Sequence, residues 1–94
     1  MLVNLINEIN IQTLDKAILN LTQKQNYKIK YLIMDSDTFA DLKGINPAGI
    51  YQQAKKGADS NLFYSVVTYK NCVIAICENL SYGEVDIILG ENYD

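Results

Sequence analysis

The sequence contains no histidine, no tryptophan and no arginine, since all eight basic residues are lysines. Without histidine the chain lacks the usual base near neutral pH, the partner in Ser/His and Cys/His nucleophile pairs, and the commonest transition-metal ligand. Without arginine it lacks the planar fork that grips phosphate and guanine through two hydrogen bonds. Eight basic against eleven acidic residues leave a net charge of −3, which gives nucleic acid or an anionic membrane no electrostatic hold. No apolar run reaches the roughly 18 residues of a membrane-spanning helix. The stretch MLVNLINEIN has no basic leading region and no small-residue cleavage site, so it is not read as a secretory signal. Cysteine is scarce as well. Cys72 and Cys77 lie in one apolar stretch, and on a strand a separation of five sets them on opposite faces, too far apart to bond. They read as reduced, buried thiols rather than metal ligands. These absences exclude most enzymes and most nucleic-acid binders, and the expectation is no metal, no cofactor and no catalytic set.

What is present is a globular composition: 94 residues, 49% hydrophobic and 20% charged. A chain of this mass buries roughly 64% of its unfolded surface, enough for one domain over residues 1–94 without staples.

Leu2, Leu5, Ile6 and Ile9 follow helical spacing, as do Leu14, Ala17, Ile18 and Leu21. The spacing predicts a short helix over 2–9 and a firmer one over 13–25, with Thr13 as N-cap and Asn26 as the stop. Residues 28–34 read as a strand that alternates at first and then becomes apolar on both faces, with one end at the rim and the other in the core. Asp35-Ser36-Asp37-Thr38 is an N-cap cluster opening a short helix over 36–43 that ends at Gly44. Asn46-Pro47 starts another over 47–56, ended by Gly57. Residues 57–61 read as a polar connecting loop. Strands follow at 62–69, 72–77 and 84–89, rich in β-branched and aromatic residues. Lys70-Asn71 joins the first two as a two-residue hairpin turn. The segment CVIAIC is apolar throughout and so is expected at the centre of the sheet, covered on both faces. The order predicts an α+β domain of about four mostly antiparallel strands with two to four short helices.

The sharpest motif is Tyr31-Leu-Ile-Met-Asp35-Ser-Asp37. A hydrophobic strand running into Asp-x-Asp resembles the nucleophile motif of haloacid-dehalogenase-type phosphatases, which implies an Mg²⁺-dependent phosphoryl-transfer site at Asp35 and Asp37. Phe39 stands where that motif carries Thr or Val, and 94 residues are too few for that family's doubly wound sheet. The acids are therefore read as a helix cap. A calcium loop over Asp35, Asp37 and Asp41 fails because its twelfth position is Asn46. Lys55-Lys56-Gly57 reads as a solvated helix end rather than an anion site. With so little positive charge around them, Tyr31, Tyr64 and Tyr69 read as half-buried structural residues rather than a base-stacking platform.

The segment order from Thr13 to Gly90 resembles the axial domain of tailed-bacteriophage major capsid proteins. The resemblance rests on a helix ending in an aromatic turn (Gln25-Asn26-Tyr27), a strand running into a capped helix (YLIMDSDTFADL), and the closing run TYKNCVIAICENLSYGEVDIILG. Within that run Asn71 stands near the family's Gly, Val73–Ile76 near its valine stretch, and Leu80-Ser81-Tyr82-Gly83 near its Leu-Pro-x-Gly turn. Ser81 replaces the usual Pro. The resemblance implies a non-enzymatic phage or prophage protein, structural or virion-related, found in the virion or in the cytoplasm of the bacterial host. Its partners would be other proteins: phage capsid subunits or copies of itself. The alternative is a small acidic inhibitor of a host defence protein. By analogy with capsomer contacts, the partner-binding residues are Asn79, Leu80, Ser81 and Tyr82 in the turn, and Lys55 and Lys56 in the loop region, with Leu80 and Tyr82 as anchors.

Overall fold

The computed structural model describes residues 1–5, 10–56 and 63–92, with the backbone alone for 55–56, 63–64 and 91–92. The elements run β1 (Leu2–Asn4), α1 (Ile11–Leu19), a π-helical turn (Asn20–Lys24), β2 (Tyr27–Met34), α2 (Ser36–Ile45), a 3₁₀ turn (Pro47–Gly49), β3 (Ile50–Lys56), β4 (Phe63–Tyr69), β5 (Cys72–Ile76) and β6 (Glu84–Asn92). All six strands join one sheet in the order β1-β6-β2-β5-β4-β3.

The class is α+β, but the sheet corrects the expectation of about four mostly antiparallel strands. It has six strands and is mixed, because β2 and β5 pair in parallel from Tyr31–Val73 to Met34–Ile76. The connection between them carries α2, β3 and β4, which is long enough for the crossover that a parallel pair requires. The two extra strands come from segments read as helices. Residues 2–4 form β1, in which Val3 is buried and Leu2 and Asn4 are exposed, and pair with β6 at Asp86, Val85 and Glu84. The remainder of the expected first helix, residues 6–9, lies outside the described residues. Residues 50–56 form β3 and pair with β4 along their whole length. Here strand pairing overrides the helix propensity of Gln, Ala and Lys.

Other boundaries shift for local reasons. Asn10, not Thr13, caps α1, and its side chain accepts from the Gln12 and Thr13 amides at 3.1 and 3.3 Å. Asn26 adopts a positive φ of 57° where the helical run stops. α2 continues through Gly44 to Ile45. Lys70 and Asn71 both adopt positive φ, as a primed hairpin turn requires. Gly57 and the connecting loop at 57–61 lie outside the described residues.

Both helices pack on one face of the sheet. Leu14, Ile18 and Leu21 of the α1 run and Leu42 of α2 join Val3, Ile29, Leu32, Met34, Tyr69, Cys72, Val85 and Ile87 in a single buried cluster. No helix among the described residues is long and apolar enough to cross a membrane.

Candidate functional site

The apolar second half of β2 and the wholly apolar β5 come to lie side by side, and this decides what the other face of the sheet looks like. β5 is interior in the strand order, as expected. Among the described residues no helix covers its second face, which corrects the second half of that expectation. Cys72 and Ile74 point toward the helices, whereas Val73 and Ala75 are only partly buried on the opposite side. Registers place Ile88, Tyr31, Val73, Thr68 and Tyr51 in one row across that side. A second row holds Leu2, Asp86, Ile33 and Ala75. Leu2 is 51% exposed, Tyr31 36% and Tyr51 61%. Thr68 is the buried exception, and its hydroxyl donates to the Tyr51 carbonyl at 3.4 Å.

A bulge sharpens this face. The β2–β6 register slips between Ile29 and Tyr31, so Lys30 and Tyr31 both turn outward, and the Lys30 ammonium lies 5.7 Å from the Tyr31 ring centre. Lys28 also points outward. Charge is therefore sorted along the strands: Lys28 and Lys30 at one end, Asp86 and Glu84 at the other. Asp86 takes the Met1 amine at 3.4 Å, and Glu84 accepts from the Ser81 amide at 2.8 Å.

The turn from Cys77 to Gly83 is bound to the start of α2. The Asp35 side chain, buried, caps α2 by accepting from the Thr38 amide at 3.0 Å. The Glu78 carboxylate accepts from the Ser36 amide and hydroxyl at 3.0 and 3.2 Å. The fully buried Thr38 hydroxyl accepts from the Gly83 amide at 2.9 Å. Asp35 is thus a cap, and Asp37 follows in the first turn, where the helix dipole favours an acid. Of the predicted contact residues, Asn79, Ser81 and Tyr82 are exposed and Leu80 is partly buried. The Tyr82 hydroxyl donates to Asp41, and this bond holds its phenol above the ordinary tyrosine range. What Tyr82 offers a partner is therefore its ring. Lys55 and Lys56 lie elsewhere, in β3 at the end away from Ile50.

A groove of about 450 Å³ lies between α1 and the β4–β5 turn, lined by Asp15, Ile18, Leu19, Thr22, Gln23, Lys70 and Asn71. Its charged groups, Asp15 and Lys70, are already engaged with each other. The buried Tyr69 hydroxyl donates to Asp15 at 2.6 Å and accepts from the Asn46 amide at 3.3 Å. Lys70 sits 3.7 Å from Asp15. Burial first, and then the Asp15 bond, push the Tyr69 phenol up to about 12. Burial also raises the Cys72 thiol, which keeps it protonated and unreactive. Both cysteines are free.

The outward sheet face is the site that sequence reading missed. Its signal lies in the continuous apolar pattern of 31–34 and 72–77, and the latter reads in sequence as a strand covered on both faces.

No protein-family model, no curated protein and no solved structure matches the chain.

Proposed function

We propose that this chain is a non-enzymatic protein that works by contact with other proteins, and that its partners belong to the shell of a tailed bacteriophage, placing it in the virion or in the cytoplasm of the infected host. The observation that carries the contact reading is the outward sheet face, where Leu2, Tyr31, Ile33, Val73, Ala75 and Ile88 form a patch that the helices do not cover. Leu2 and Tyr31 are exposed and the other four are partly buried, and a half-covered apolar patch rimmed by charge is what protein interfaces present before they are occupied. The phage assignment is supported by the resemblance of Thr13–Gly90 to capsid axial domains.

The turn at Asn79–Tyr82 is the second contact surface. Its hydrogen bonds to α2, from the Tyr82 hydroxyl to Asp41 and from the Gly83 amide to Thr38, restrain the turn, so binding costs little ordering entropy there. The acids Asp37, Asp41 and Glu78 on the same corner favour a basic partner, and this favours the host-protein reading as the alternative. Co-purification with phage capsid subunits separates the two. Capture that is lost on Tyr31→Asp supports the shell reading. Capture of a host protein that is lost on Tyr82→Ala, with no capsid binding, replaces it.

A further inference from the structure

We infer that the outward sheet face binds a second copy of the same face, giving a two-fold dimer in which two sheets stack with their strands reversed. This deepens the contact reading above and rests on it. The first argument is the apolar pattern. Residues 31–34 and 72–76 are written as strands covered on both sides, yet the helices cover only one side. A matching sheet at the usual separation of about 10 Å supplies the second cover.

The second argument is charge, and it selects the partner. Along the strands the face runs from Lys28 and Lys30, through the Tyr31 row, to the row in which Asp86 stands beside Ile33, with Glu84 one step beyond it. A two-fold interface brings one patch against itself. If the axis runs across the strands between the Tyr31 and Ile33 rows, Tyr31 of one copy lies over Ile33 of the other. The same operation sets Lys28 and Lys30 opposite Glu84 and Asp86, twice over. The lysines and acids sit on neighbouring strands, about 4.8 Å apart, within reach of a lysine side chain. A stacking with the strands unreversed would set lysine against lysine and acid against acid. The face is therefore complementary to itself in one orientation only.

Sedimentation equilibrium of the full chain tests this. The wild type should dimerise, and Tyr31→Asp should weaken the dimer at least about tenfold with its circular dichroism spectrum unchanged. Val73→Lys provides a second disruption on the neighbouring strand should Tyr31→Asp fold poorly. The decisive measurement uses two charge-reversed chains, Lys28→Glu with Lys30→Glu in one and Asp86→Lys in the other. Each alone should be monomeric, and the mixture should form a heterodimer. A wild type that stays monomeric, or a dimer insensitive to Tyr31→Asp and Val73→Lys, overturns the inference, and a mixture that does not pair overturns the reversed orientation on which it rests. A monomer that still binds capsid subunits through this face leaves the contact reading standing and removes only self-pairing. A dimer that binds no capsid subunit does the opposite.

Discussion

Tyr69 is fully buried, and its hydroxyl has Asp15 and Asn46 as partners. Ionising that phenol would bury a negative charge beside Asp15, so its value rises from 10.0 to about 12. The sign follows from linkage. The unfolded chain ionises Tyr69 near 10 and the folded chain near 12, so the folded state binds the proton more tightly between these values. Its stabilisation is complete below pH 10 and is lost as pH rises toward 12, to the extent of about 2 kcal/mol. Urea denaturation across this range should show the loss in the wild type, and Tyr69→Phe should not show it. At the head of α2, Asp35→Ala removes the acceptor of the Thr38 amide and should cost about 1 kcal/mol by the same measurement. A catalytic role for Asp35 would instead leave stability unchanged or raise it.

At the scale of elements, β3 shows how a glycine can decide between helix and strand. Residues 47–56 read in sequence as a helix opened by Asn46-Pro47. In the fold, Gly49 closes the 3₁₀ turn against Tyr69, and an added Cβ would lie 2.7 Å from the ring and 2.9 Å from the Asn46 amide. The ring is fully buried and cannot yield. Gly49→Ala should therefore destabilise by about 1–3 kcal/mol in chemical denaturation, although alanine is the better helix former. β1 makes the same point. Its three residues are a strand because the edge of β6 is there to receive them. The 28–34 strand, the capped helix after Asp35 and the hairpin turn at Lys70-Asn71 were legible because their signals are local: alternation, a capping side chain, a residue tolerant of positive φ. β1 and β3 were not, because their partners, Val85 and Val66 among them, are distant in sequence.

At the scale of the whole molecule, the polarity of the outward face has a measurable consequence. If lysines at one end meet acids at the other end of a second copy, added salt screens the pairs while the apolar rows persist. The dimer dissociation constant should rise with sodium chloride concentration in the wild type, and this dependence should flatten in a chain carrying Lys28→Gln, Lys30→Gln and Asp86→Asn. Sedimentation at several ionic strengths reads both.

The α+β class was legible in the residues alone, because helical spacing and strand patterning are properties of near neighbours. The residues alone show a chain without histidine or arginine, and the head of its acidic motif, Asp35, is a helix cap. These conclusions need only the residues present and their near neighbours. Which apolar faces are covered emerges only in the assembled fold. Two-sided hydrophobicity at 31–34 and 72–77 is the same pattern whether the second cover is a helix of this chain or the surface of another molecule. The difference depends on where both helices pack, and that is a property of the assembled sheet rather than of any segment within it.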